Sequence, residues 1–383
     1  MSVTSAAGFR AAGVAAGIKD SGALDLAVVV NDGPFAVAAG VFTSNRVKAA
    51  PVIWSEQVLQ TGRVRAVVLN SGGANACTGP AGFADTHATA EHAADQLGIG
   101  AIDVAICSTG LIGDRLPIHS VLSGVDKAVD SLDSAGGDDA ATAIMTTDTV
   151  AKTAVVQGNG WTVGGMAKGA GMLAPALATM LCVLTTDAAV DQFTVDNALR
   201  SATNHTFDRI DVDGCMSTND TVLLLASGAS GVSPSYADFA AAVRVACHDL
   251  AMQLIADAEG ATKRIEIAVR NAATEEDALE VGRAVARSAL LKCALYGNDP
   301  NWGRVLAAVG TTQAAFEPDQ LDVSINGVQV CRAGAAGDDR STVDLTGPDV
   351  SISVDLHAGS DKVSIWTTDL TPGYVHENSA YSS

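Results

Sequence analysis

The sequence predicts a mixed fold, α/β or α+β, and three observations carry that prediction. Short runs rich in β-branched residues recur along the chain, each closed by Gly or polar turn residues. Between them lie segments whose apolar residues repeat with a period near 3.6. Beyond about residue 300 this alternation gives way to a strand-rich texture, as expected of layered sheets and helices followed by a smaller domain.

The predicted strands of the first part are LDLAVVV (24–30), RAVVLNSGG (65–73), DVAICSTG (103–110) and the stretch KTAVVQGNGWTVGGMAKGAG (152–171). Predicted helices cover 82–98, 237–260 and 274–297. In the second of these, Phe239, Val243, Cys247, Leu250 and Leu254 fall on one face, so the helix should pack on a sheet. Gly260 and Gly297 read as C-terminal stops. After NDPNWGR (298–304), the segments RVLAAVG, LDVSINGVQVC, VSISVDL and KVSIWTTDL read as strands, and Asn-Gly within SINGVQV signals a hairpin. A domain change is placed between 280 and 300, giving domains 1–285 and 286–383.

The chain has 383 residues, of which 48% are hydrophobic and 17% charged, enough apolar material for a large core. Aromatics make up only 4%, so that core should be built from Ala, Val and Gly. A net charge of −20 argues against nucleic-acid or anionic-membrane surfaces, which would repel it. The 7 cysteines form no CxxC pair and read as reduced thiols of a cytoplasmic protein. No signal peptide is read at the N-terminus. The longest apolar run, 172–184, falls short of the roughly 18 residues that a membrane span needs.

Two features compete for the chemistry. GAGMLA (169–174) matches a dinucleotide-binding turn, but Pro175 interrupts the helix that should follow, and no clear strand ending in an acidic residue lies roughly 20 residues on, Asp187 coming too early. The second is Thr179, set in an otherwise apolar run. The plain reading is a strand threonine. A threonine after a Gly- and Pro-rich loop can also sit in strained backbone and attack the carbonyl of its own preceding residue, Ala178. Hydrolysis of the resulting ester would free its α-amine. An α-amine with a pKa of about 7.7–8.0 can take the hydroxyl proton near neutral pH, giving an activated nucleophile.

AKGAGMLAPALATMLCVLTTDA (167–188) closely resembles the self-cleavage segment of the ornithine acetyltransferases, also called glutamate N-acetyltransferases. The resemblance extends to NSGGANACTG (70–79), CSTGLIG (107–113), AIMTTDT (143–149), DVDGCMSTNDT (211–221), ADAEGATK (256–263), GNDPNWGR (297–304) and YVHENSAYSS (374–383). It implies a layered α/β sandwich with a smaller C-terminal domain. It also implies cleavage of Ala178–Thr179 into α and β chains and transfer of acetyl from N2-acetylornithine to glutamate in arginine biosynthesis. One departure is Ala176, where many relatives carry Asn; that position is not among the implied catalytic residues.

The resemblance assigns residues as follows. Thr179 is the nucleophile, and transfer through its ester makes the reaction ping-pong. The Thr109 hydroxyl and the Gly110 N–H form the oxyanion hole. Lys168 is the candidate cation for the α-carboxylate that both substrates share. Glu259, at a predicted helix end where a carboxylate opposes the macrodipole, binds either the ornithine ammonium or the Thr179 amine. Thr146 supplies a hydroxyl to substrate, with Thr147 as its possible substitute. Asn378 and Ser383 carry over from a tail that would fold back to close the site. Trp302 and Arg304 read as domain-junction residues. His87 and His92, five apart, share no helix face, so no metal is expected. No cofactor is implied. Acetyl-CoA as a second donor stays open, although no phosphate cradle for it is recognised. The resemblance further implies an (αβ)2 heterotetramer. Two other readings remain: an N-terminal-threonine amidase or aminopeptidase of related fold, and an uncleaved, non-catalytic nucleotide-binding protein.

Overall fold

A computed structural model describes residues 2–174 and 180–380. They form two compact units, residues 1–208 with 215–257, and residues 209–214 with 258–382. The first unit contains β1 (Phe9–Val14), β2 (Leu26–Asn31), β3 (Val37–Phe42), α1 (Ala50–Leu59), β4 (Ala66–Ser71), α2 (Gly79–Leu97), β5 (Val104–Thr109) and α3 (Ile118–Asp130). It continues with α4 (Gly137–Ala143), β6 (Lys152–Gln157), β7 (Thr162–Lys168), β8 (Leu181–Thr186), α5 (Gln192–His205), β9 (Thr221–Ala226) and α6 (Tyr236–Ala256).

These strands make two sheets, ordered β1-β2-β4-β5 and β3-β9-β8-β7-β6. The pairs β4/β5 and β8/β9 are parallel and the other pairs antiparallel. Side-chain alternation along each strand explains the layering. Ala27, Val29, Val67, Leu69, Ala105 and Cys107 of the first sheet meet Leu181, Val183, Leu223 and Leu225 of the second in one core. The intervening residues Leu26, Val28, Val68, Val104 and Ile106 face outward, onto α2 and α3. On the far side of the second sheet lie α5 and α6. Strands covered on both faces are apolar throughout, which is why AVVL and VAIC read as unbroken runs rather than alternating ones. The result is a four-layer α/β sandwich, the layered α/β class that the sequence predicts.

Among the described residues α6 is long and apolar enough, by length and composition, to cross a membrane, and half of its apolar window is buried. Its apolar residues are periodic rather than continuous, as the predicted helix over 237–260 requires. Here it packs on β6, β7 and α5 as a core helix.

The second unit comprises β10 (Arg264–Ala272), α7 (Glu275–Ala286), α8 (Ala289–Tyr296), α9 (Trp302–Val309), β11 (Asp322–Ile325), β12 (Val328–Arg332), β13 (Ala335–Ala336), β14 (Asp349–Asp355), β15 (Asp361–Thr368) and α10 (Pro372–Ala380). Its sheet runs β13-β12-β11-β14-β10-β15. One face, with Ile265, Ile267, Val350, Ile352 and Ile365, packs on Val281, Val285 and Val305 of the helices. Asn326 (φ 45°) and Gly327 (φ 82°) close β11 and β12 in the expected two-residue turn.

Local expectations change at several points. The helix expected over 274–297 is two helices, because Ser288 leaves helical geometry and accepts from the Leu291 N–H as a new N-cap. RVLAAVG, expected as a strand, lies largely in α9: Asn301 caps it, and Val305, Ala308 and Val309 are buried at helical spacing. Gly260 stops no helix, since α6 ends at Ala256. A Cβ at Gly260 would stand 2.2 Å from the Tyr374 backbone nitrogen, so close approach of two chain segments requires glycine there. β1, β3 and β9 are strands where none is expected. The second unit begins ahead of β10, so α7 belongs with the strand-rich part of the chain.

Candidate active site

Because β4 and β5 are parallel, with Ser71 opposite Thr109, both strands deliver their following loops to the same end of the sheet. Three of the sequence motifs interlock there. Ser108 Oγ donates to Asn70 Oδ1 (2.6 Å), and Asn70 Nδ2 donates to the Gly73 carbonyl (3.0 Å). The Ala74 N–H donates to the Leu111 carbonyl (2.9 Å). From ahead of β9, Asn219 Nδ2 donates to the carbonyls of Ala74 (2.6 Å) and Ser108 (2.8 Å). Gly110 follows with φ 131°, and a Cβ on it would lie 2.5 Å from the Gly73 nitrogen. Only glycine fits that crossing.

Lys168 reaches the same place from the second sheet. It is the last residue of β7, and it is 2% exposed. Its Nζ donates to Thr109 Oγ1 across 3.2 Å. A threonine hydroxyl that accepts from an ammonium keeps its own hydrogen to give in another direction. That is the property an oxyanion donor needs.

Thr146 lies just after α4, its N–H donating to Asp148 Oδ2 (3.0 Å). Asp148 Oδ1 accepts from the Gly169 N–H (2.7 Å) and from Lys152 Nζ (2.6 Å), so one carboxylate ties Thr146 to the residue after Lys168. Lys152, wholly buried, also donates to Asp257 Oδ2 (2.6 Å). Burial would raise the Asp148 carboxyl, but Lys168 and Lys152 together hold it down at about 2. Asp220, buried at the start of β9, accepts from the Met180 N–H at the head of β8 (3.1 Å). Burial pushes its carboxyl well above the usual range, against the pull of Met180, Ser217 and Lys168.

Two expected residues meet in the second unit. Asn378, on α10, donates from Nδ2 to Glu259 Oε2 (3.0 Å). The tail is helical to Ala380 rather than frayed. Glu259 lies beyond the end of α6, so the argument from the helix macrodipole lapses. Arg304 donates from Nη1 to the Leu290 carbonyl, and Trp302 packs on the core of the second unit; both brace helices there. Ala178, Thr179, Ser383 and the variant position Ala176 lie outside the described residues. No helix follows β7 over 169–174, as a dinucleotide turn would require. His87 pairs with Glu91 and His92 with Asp126, and no metal-ligand cluster is found among the described residues.

Asp148, Lys152, Asp220 and Asp257 did not emerge as candidates from the sequence. The available signal was slight: Asp148, Asp220 and Asp257 stand inside motifs already singled out, AIMTTDT, DVDGCMSTNDT and ADAEGATK.

A model of the ArgJ family matches residues 10–383. The chain belongs to the ArgJ family. It is similar along its whole length to proteins called arginine biosynthesis bifunctional protein ArgJ. Identity is 67% over 383 residues in Streptomyces coelicolor and 63% over 383 in Thermobifida fusca, with both chains fully covered in each comparison. It is 61% over 389 residues in Mycobacterium tuberculosis, covering all of this chain and 96% of the relative. A crystallised chain of the M. tuberculosis ornithine acetyltransferase, complexed with ornithine, is 65% identical; the match covers 47% of this chain and 96% of that one, with a TM-score of 0.45. The interlocked loops around Thr109 and Gly110 therefore belong to an ArgJ-family chain.

Proposed function

We propose that this chain moves an acetyl group from N2-acetylornithine to glutamate through an acetyl ester on Thr179, formed after the precursor cleaves itself at Ala178–Thr179. That it is an acyltransferase follows from its family. The donor, the acceptor, the ester intermediate and the self-cleavage are the proposal. The observation that carries it is the buried contact of Lys168 with Thr109, beside a glycine whose backbone admits no side chain. This supplies a hydroxyl and an N–H suited to an oxyanion.

In the first half-reaction the Thr179 hydroxyl adds to the acetamide carbonyl and its α-amine takes the hydroxyl proton. Collapse expels ornithine, whose amine receives that proton. In the second, the glutamate amine adds to the ester, the acetamide forms, and the threonine oxygen recovers a proton. By resemblance, Lys168, Thr146, Glu259, Asn378 and Ser383 are proposed to serve substrate. No resident cofactor enters the scheme. The relatives are named bifunctional, and acetyl-CoA as a second acetyl donor remains part of the proposal. A cytoplasmic (αβ)2 assembly of the two cleaved chains completes the reading.

Identity of 61–67% over the full chain to ArgJ proteins favours transfer over the hydrolytic alternative. The test is acceptor dependence. Ornithine release from N2-acetylornithine should require glutamate for turnover, with acetylglutamate formed in equal amount. Steady acetate release without glutamate would make the chain an amidase.

A further inference from the structure

Next to the end of β7, where the Gly169 N–H meets Asp148, lies a buried cluster of charge that the proposed chemistry does not use directly. Lys152 and Asp148 have side chains with no exposure at all, and the side chain of Asp257 is 8% exposed. Lys152 Nζ donates to both carboxylates at 2.6 Å. Asp257 is fixed in turn by the Thr149 N–H (3.0 Å) and hydroxyl. Around Asp148 stand three ammonium groups: Lys152, Lys168 and Lys19, the last donating to the Met145 carbonyl (2.7 Å) and drawn also by Asp25. Lys168 in turn faces Thr109, Asp148 and Asp220.

A wholly buried ion group of this kind is costly unless each charge is paired and hydrogen-bonded, and it adds little net stability over an apolar replacement. Its geometry is specific instead. The two oxygens of Asp148 take the N–H groups of Thr146 and Gly169, so a single carboxylate fixes one candidate substrate residue and the backbone next to Lys168.

We propose that Asp148 is a positioning residue of the acyl-transfer site, holding the end of β7 so that Lys168 is aimed at Thr109, with Lys152 and Asp257 as its anchor. The inference rests on the acyl-transfer reading above. The Lys168 ammonium is stabilised by the Asp148 charge, and Lys152 competes for that charge. Asp257 offsets Lys152 and so restores the field at Lys168.

The test is the alkaline limb of kcat/KM, recorded for cleaved, folded enzyme. Asp148→Asn removes the negative charge beside Lys168, so the limb should move down by about one pH unit. Lys152→Met frees Asp148 to act on Lys168 alone and should move the limb upward. Asp257→Asn should move it downward, less than Asp148→Asn does. A structural role alone would not produce shifts of opposite sign. Coincident limbs in all variants, or shifts of one sign, overturn the proposal. If Asp148→Asn fails to fold, the opposed signs of Lys152→Met and Asp257→Asn decide the matter. Wild-type acetyl transfer is measured alongside. Its absence would defeat the acyl-transfer reading itself, whereas normal transfer with unmoved limbs would defeat only the role of Asp148.

Discussion

Lys168 Nζ donates to Thr109 Oγ1 across 3.2 Å, joining the end of one sheet to the end of the other. The two side chains should therefore act as a unit. Thr109→Ala is expected to lower kcat by about 10²-fold with a smaller effect on KM, because an oxyanion donor matters most in the transition state. Lys168→Ala should cost a similar factor, and the double variant little more than the worse single one. Fully additive losses would show that Lys168 serves the substrate carboxylate independently of Thr109.

Maturation gives a direct reading by mass. Wild-type protein should separate into chains of residues 1–178 and 179–383, and Thr179→Ala should remain a single chain of 383 residues. An active, intact wild-type chain would remove Thr179 as the nucleophile.

Gly110→Ala tests the loop crossing. A methyl group 2.5 Å from the Gly73 nitrogen, at a φ of 131°, forces the two loops apart. Acyl transfer should fall by at least the roughly 10²-fold that loss of one oxyanion donor brings. Gly347→Ala, where nothing lies within 4 Å of the added carbon and φ is not positive, should leave kcat unchanged.

Glu259 should divide the half-reactions. If it reads the ornithine ammonium, Glu259→Gln slows acetyl-enzyme formation by roughly 10- to 150-fold and spares discharge by glutamate, which has no side-chain cation. Equal slowing of both steps would assign it to the Thr179 amine.

Stability against pH should show two opposed contributions. Asp148 is held at about 2, so its contribution is complete above pH 4 and is lost as pH falls through 2; it amounts to up to about 2 kcal/mol. Asp211 is pushed up to about 6, chiefly by burial and in spite of its contact with Arg287. Its contribution is present below pH 4 and disappears as pH rises through 6. Asp148→Asn should flatten the acid limb of an unfolding curve, and Asp211→Asn should reduce the decline between pH 4 and 6.

Much of the sandwich is legible in the sequence, because strands such as AVVL and VAIC that are buried on both faces advertise themselves by composition. The Asn326–Gly327 turn is legible as well, since the dipeptide carries its own local chemistry, whereas Thr109, Gly110 and Lys168 are singled out only through the resemblance. What escapes is anything set by contact between distant parts of the chain. The ion pair of Lys152 with Asp257 joins β6 to the residue just after α6, and no local pattern announces it. The same holds for α9: an apolar run as short as RVLAAVG fits strand or helix, and Asn301 as its cap decides. Ser288 divides α7 from α8 although apolar periodicity runs through both.

The Asn326–Gly327 turn has a chemical consequence of its own. An asparagine followed by glycine is the dipeptide most open to succinimide formation, in which the glycine nitrogen attacks the side-chain amide. Here that amide is engaged at both ends: Nδ2 donates to the Asp344 carbonyl (2.7 Å) and Oδ1 accepts from the Ser351 N–H (2.8 Å). Hydrogen bonds that hold the amide in place keep it from turning toward the attacking nitrogen. The closed hairpin thus protects its own turn from deamidation, and the protein should age at this position only as fast as the hairpin opens.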